Sequence, residues 1–189
     1  MHISQTPVIN FNGTSWFVHA RPSGIYTVMA KRFIEQFINM LSHYKRVHVI
    51  RFDLHQRDYN ADNQRMTVFN RRLFKRLKRQ YKINKIGYCW VREQVNAAAQ
   101  HYHYALFLDG RCIQYPQKVL ALVDKVWSDM AGSSYTPKNC YYNATRGDFD
   151  VMRKIVYRIS YFAKAAGKES KPFQTKNYSC SRIGFLNNQ

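Results

Sequence analysis

Apolar residues recur along this chain in two rhythms, one of about 3.6 residues and one of two, and the rhythms divide it into helices and strands. Ile25, Val28, Met29, Phe33, Phe37 and Leu41, following "RPSG" at 21–24, keep helical spacing. "RVHVIRFDL" (46–54) is dense in β-branched residues and reads as a strand. Helical spacing returns over about 63–81, where Met66, Phe69, Leu73, Phe74 and Leu77 form the inner stripe. "IGYCWVRE" (86–93) and "HYHYALFL" (101–108) read as strands, and the small, polar stretch between them suits a hairpin-like pair. An amphipathic helix over 116–132 has Pro116 near its start and Gly132 just past its end. "YTPKNCYYNA" (135–144) reads as one more strand and 149–167 as the last helix. The order predicts an α+β fold, a ferredoxin/RRM-like antiparallel sheet with helices on one side.

No repeat, low-complexity tract or linker divides the 189 residues, so one domain is expected, with a loosely structured start (about 1–20) and a loose basic tail (about 168–189). Charge changes the picture most: 30 Lys and Arg against 11 Asp and Glu give a net +19, a field that attracts polyanions. No apolar run approaches the ~18 residues of a membrane span, and the first residues lack a signal-peptide layout. Cys89, Cys112, Cys140 and Cys180 are widely spaced, which argues against a thiolate zinc site or a disulfide scaffold and suits a reducing cytoplasm. The basic block on the second helix (Arg65, Arg71, Arg72, Lys75, Arg76, Lys78, Arg79) reads either as a solvated face or as a phosphate contact; the scarcity of acids favours contact.

His101 and His103 alternate onto one strand face, where two imidazoles can hold one cation. An H-x-H by itself is a weak signal, since paired sheet histidines also make ordinary hydrogen bonds. Glu93 strengthens it, because a hairpin folds the end of its strand beside the start of the next. Two nitrogens and a carboxylate leave positions open for phosphate oxygens and suit Mg²⁺ or Mn²⁺; zinc accepts the same set. As a free acid at a strand end, Glu93 is equally a solvated rim residue. His48 and His55 flank Asp53 on the first strand, and these three are substitute ligands.

In "YRISYFAK" (157–164), Tyr157, Tyr161 and Lys164 fall within ~60° of helical arc, away from the stripe Met152, Ile155, Val156 and Ile159. Arg153 and Lys154 lean to the tyrosine side. Tyrosines on a helix most often pack at a core margin. Two phenols beside a lysine in so basic a chain favour chemistry on phosphate instead. A phenol titrates near ~10, so attack on a phosphodiester needs a cation beside it and the phosphate charge offset.

Taken together, Glu93, "HYH" at 101–103 and "YRISYFAK" at 157–164 resemble the HUH endonuclease superfamily. "VIRFDLH", "YCWVREQ", "SYFAKAAGK" and "NYSCSR" are most similar to the rolling-circle replication initiators of filamentous phages (inoviruses) and related mobile elements. The likeness runs from about residue 46 to 184. It implies that His101, His103 and Glu93 hold a divalent metal, Mg²⁺ or Mn²⁺. It implies that Tyr161, with Lys164, is the nucleophile that becomes 5′-phosphotyrosyl and frees a 3′-OH, and that Tyr157 is a second nucleophile. Asp53 resembles the first motif of these initiators and borders the metal site, or serves structure. Arg71, Arg72, Lys75, Arg76, Arg153, Lys154, Lys168 and the tail cations Lys171, Lys176 and Arg182 would hold DNA, with Trp90 and Tyr178 stacking unpaired bases.

The resemblance therefore implies nicking and rejoining of single-stranded or hairpin origin DNA in a host bacterial cytoplasm. A separate helicase and the host replication machinery are the implied partners. Tyr102, at the middle of the histidine motif, is aromatic where an aliphatic is common. Two alternatives stand beside this expectation: a transposase or relaxase with the same chemistry, and a non-catalytic RRM-like nucleic-acid binder with exposed sheet aromatics.

Overall fold

The computed structural model describes residues 2–94, 99–168 and 175–187. Four short strands come first: β1 (Ile3–Ser4), β2 (Val8–Phe11), β3 (Thr14–Phe17) and β4 (Ile25–Tyr26). Then follow α1 (Thr27–His43), β5 (Arg46–Gln56), α2 (Gln64–Tyr81), β6 (Gly87–Glu93), β7 (His101–Asp109) and α3 (Gln117–Ser128). The chain continues through β8 (Gly132–Tyr135), β9 (Tyr141–Thr145), α4 (Phe149–Ser160), a 3₁₀ turn (Tyr161–Ala163) and β10 (Tyr178–Cys180). The main sheet runs β10-β6-β7-β5-β8 and is antiparallel throughout. The segment expected as one strand over 135–144 is two: β9 pairs with the first half of β5 and β8 with its last residues. Pro137 and a left-handed Asn139 (φ 54°) interrupt the run between them.

Alternation along the central strands feeds two cores. Val47, Val49, Cys89, Val91, Ala105 and Phe107 pack with α1 and α4 on one face. Ile50, Phe52, Leu54, Trp90, Tyr102, Tyr104, Leu106 and Leu108 pack with α2 and α3 on the other. The α+β class holds, but helices cover both faces rather than one. One phase of β5 and β7 is apolar along most of its length; the other is apolar only at Val47, Val49, Ala105 and Phe107 and carries Arg51, Asp53, His55, His101 and His103 beyond them, yet both strands are buried almost end to end. Tyr104 stacks on Phe52 with ring centres 4.9 Å apart, deep beneath α2. Trp90, expected to stack bases, is 4% exposed inside this core, and Tyr178 packs edge-on against Phe33 of α1. On α1 the reverse holds: Val28, counted in the apolar stripe, faces solvent.

Strands also lie near both ends of the chain among the described residues. β2 and β3 form a hairpin that buries Ile9, Trp16 and Val18 in the α1/α4 core, and β1 pairs with β4. In the tail, β10 extends the main sheet by pairing with β6, setting Cys180 opposite Cys89. Apolar side chains enter the core from both ends, which compensates the entropy of ordering them. Trp16→Ala is therefore expected to cost about 3–5 kcal/mol in urea denaturation, as truncation of a buried aromatic does. A loss below about 1 kcal/mol would mean that the start of the chain is peripheral to the fold.

Candidate active site

The face of the sheet beneath α4 carries a line of ionisable groups, set there by register. His101 lies opposite Glu93 on one side and His55 on the other; His103 lies opposite Asp53. Glu93 Oε2 stands 3.3 Å from His103 Nε2 and 4.0 Å from His101 Nε2. The three prospective ligand atoms of Glu93, His101 and His103 lie within 4.8 Å of one another. On the far side of the ring, His103 Nδ1 donates to Asp53 Oδ1 at 2.7 Å. That bond orients the imidazole so that Nε2 points at the shared centre, the outer-shell pattern typical of metal-binding histidines. The donor set, two imidazoles and one carboxylate, fits a divalent cation.

Lys168 closes the other side of Glu93. Its ammonium donates to Oε1 at 2.7 Å, and both side chains are almost fully buried. Lys168 is thus a partner of Glu93 and not a surface DNA contact: an unpaired carboxylate at this depth would be too costly. Oε1 is committed to Lys168, and Oε2 faces the imidazoles. Burial would by itself raise the Glu93 carboxyl; the hydrogen bond with His103 and the Lys168 ammonium outweigh it and bring it down to about 2. Burial, then the neighbouring His103, lower His101 to about 4, so it is a neutral imidazole at pH 7. Burial opposes the charge on His103 as well, but its hydrogen bonds to Asp53 and Glu93 raise its pKa. Burial pulls Lys168 down against the attraction of Glu93.

Tyr161 comes to this cluster from above. α4 ends at Ser160, so Tyr161 lies in the 3₁₀ turn and Lys164 just beyond it, not on the helix expected to run to 167. The N-terminal segment contacts this end of the helix. The His19 amide donates to Ser160 Oγ at 2.9 Å, and the Ala165 amide donates to the Gly24 carbonyl at 2.9 Å. Gly24 is left-handed (φ 81°), and a Cβ there would stand 2.5 Å from Ile3 Cγ2. The turn lays Phe162 flat on His103, ring centres 5.7 Å apart, with the Tyr161 ring 6.1 Å from the same imidazole. Lys164 Nζ donates to Tyr161 Oη at 2.7 Å and stands 3.4 Å from Glu93 Oε2. Burial works against the Lys164 charge, but Tyr161 and Glu93 raise its pKa, so it is an ammonium at neutral pH.

Of the residues singled out in the sequence, Glu93, His101, His103, Asp53, Tyr161, Lys164 and Lys168 meet in this cluster. Tyr157 does not touch it. It is 49% exposed on α4 and is linked to Tyr161 through His19, whose ring lies 5.5 Å from one phenol and 5.1 Å from the other. His55 stacks on His101 at 5.5 Å. His48 points to the opposite face and bonds Asn143, so it is no substitute ligand. Arg76 is half-buried and paired with Asp129 at 3.5 Å. Arg71, Arg72, Lys75, Arg153, Lys154, Lys176 and Arg182 are exposed, and Lys171 lies outside the described residues.

Two residues escaped the sequence reading. His19 sits in a stretch with no periodic signal. Arg51 shares the strand phase of Asp53 and His55, a phase that could have pointed to it. Its guanidinium stands 3.7 Å from Asp53 and packs on the rings of Tyr161 and Phe162, while its buried Nε has no hydrogen-bond partner among the described residues. Burial pulls its pKa down against Asp53. The site thus gathers the cations Arg51, Lys164 and Lys168 about the carboxylates Glu93 and Asp53, a surplus that suits an anion.

The molecule is thus an α+β domain with a sheet-borne carboxylate–imidazole cluster roofed by a tyrosine turn. The chain belongs to the family described as the YagK/YfjJ C-terminal domain, which it matches over residues 11–181. Neither a curated protein nor a solved structure matches it.

The Glu93–Lys168 pair sets a clear expectation. Glu93→Gln strands a buried ammonium and is expected to destabilise by about 3–5 kcal/mol, whereas Glu93→Gln with Lys168→Met recovers most of that loss. Because the folded Glu93 titrates below its unfolded value, its contribution is present above about pH 5 and fades as pH falls toward 2. Denaturation melts across this range should show a shallower acid loss in the double variant; identical acid profiles would refute the coupling.

Proposed function

We propose that this protein is a metal-dependent endonuclease that nicks and rejoins single-stranded DNA through a covalent 5′-phosphotyrosine on Tyr161, and that it starts rolling-circle replication of a mobile element. One observation carries the reading: Lys164 joins the Tyr161 oxygen to the carboxylate of the prospective metal cluster. His101, His103 and Glu93 would hold Mg²⁺ or Mn²⁺, which would offset charge on the phosphate oxygens. Asp53 and Lys168 orient two of those ligands from behind. Tyr161 Oη attacks the phosphorus and the O3′–P bond breaks. The phenol gives up its proton and the 3′-oxygen takes one, so the exchange is proton-neutral, and the phosphodiester energy is kept for rejoining. The Lys164 ammonium offsets negative charge on the phenol oxygen, and the Arg51 guanidinium adds positive charge beside the Tyr161 ring.

Replication is favoured by the resemblance to phage initiators, while transposition and conjugation use the same chemistry at other sequences. Tyr157, exposed and joined to Tyr161 through His19, stands where a second acceptor could work after the first step. A purely binding role is less well supported: an RRM-like reader needs a bare aromatic sheet, and helices cover both faces of this one.

The test is incubation with labelled single-stranded origin candidates and Mn²⁺, followed by denaturing electrophoresis. A denaturation-resistant protein–DNA adduct is expected with the wild type and with Tyr157→Phe, falling about a thousandfold or more in Tyr161→Phe. Adduct formation that survives Tyr161→Phe, or binding without any adduct across metals and origins, would overturn the assignment.

A further inference from the structure

Two sets of cations lie on opposite sides of the sheet. On α2, Arg71, Arg72, Lys75, Lys78 and Arg79 are exposed, and none is ion-paired among the described residues. At 100° per residue they occupy about 120° of arc, opposite the buried stripe Met66, Phe69, Leu73 and Leu77. They extend over about 12 Å along the axis. α2 packs on the core that faces away from Glu93, His103 and Tyr161, so the β-sheet stands between this ridge and the site.

The α2 ridge also differs from the catalytic side in its aromatics. α2 exposes no large apolar side chain; Phe74 and Tyr81 turn in against the core. On the catalytic side, Tyr135 (the register partner of Asp53), Tyr157 and Phe17 are 56%, 49% and 64% exposed, with Arg153 and Lys154 nearby on α4. Unpaired bases need stacking platforms among cations, which the catalytic side offers. Cations without platforms match the phosphate backbone of a duplex, whose bases are stacked on one another.

We propose that the outer face of α2 is a second DNA site, taking the double-stranded backbone that flanks the nicked strand. The substrate would then be a junction, its single strand at Tyr161 and its duplex passing the sheet edge to α2. This rests on the DNA reading above, but not on nicking. The experiment measures anisotropy of a short labelled duplex and a short labelled single strand over a range of salt. Wild type is compared with the Arg71→Gln, Arg72→Gln, Lys75→Gln triple variant; should that variant fail to fold by circular dichroism, Lys78→Gln with Arg79→Gln takes its place.

Duplex affinity at low salt is expected to fall at least tenfold. The slope of log affinity against log salt should fall by about 0.9 for each phosphate that the variant no longer neutralises. Single-strand affinity and adduct yield should stay within about twofold of wild type. Unchanged duplex affinity, an equal loss on the single strand, or binding to phosphatidylserine vesicles in place of duplex would overturn the second site. A wild type that forms no adduct but passes the duplex comparison defeats the nicking reading and leaves this one standing.

Discussion

A carboxylate sunk in a sheet must be compensated, and the burial of Glu93 organises everything around it. Its two oxygens are divided: Oε1 is held by Lys168, while Oε2 faces His101, His103 and Lys164. The division fixes the segment that carries Lys168 to the end of β6 and aims one oxygen at two imidazoles. Through Lys164 it also governs where the 3₁₀ turn places Tyr161. Stability does not explain such an arrangement, because well-packed apolar groups in place of a buried ion pair are often as stable or more so. What the charges provide is a fixed, partly desolvated electrostatic site, the kind of environment in which perturbed titration accompanies chemistry.

The turn above the cluster depends on contacts from the other end of the chain. Residues 19–25 contact the end of α4 at Ser160, hold Ala165, and set His19 between the two phenols. Tyr161 keeps helical backbone angles (φ −52°, ψ −34°), and the 3₁₀ turn that it opens carries Phe162 over His103, so the N-terminal strands that contact this turn border the site as well as the core.

Much of this was legible in the chain, for physical reasons that can be named. Period-two alternation put His101 and His103 on one face, and a short connection brought Glu93 to His101, because hairpin register follows from local geometry. The same alternation, followed along β5, gathers Arg51, Asp53 and His55 on that face; Asp53 and His55 are sequence candidates for the site, and Arg51 is the one that escapes. Long-range pairing was beyond reach. Nothing local signals that 19–25 contacts the end of α4, that residues 178–180 join the sheet, or that Lys168 is the counter-ion of a carboxylate 75 positions earlier. The two-sided cover of the sheet was hinted at only by Val47, Val49, Ala105 and Phe107 on the second phase, because the polar groups Arg51, Asp53, His55, His101 and His103 that follow them on that phase suit a face without a helix. Charge counting likewise could not separate Arg71, which faces solvent, from Arg76, which is paired with Asp129.

The central claim is that the oxygen of Glu93 left free by Lys168 shares one cation with both imidazoles. Crystals soaked in Mn²⁺ and measured at the manganese absorption edge test it directly. The account predicts a single strong anomalous peak enclosed by Glu93, His101 and His103, with Lys168 still bonded to the other carboxylate oxygen. An empty cluster under saturating Mn²⁺, or a peak elsewhere with Glu93 still closed against His103 and Lys164, would contradict it.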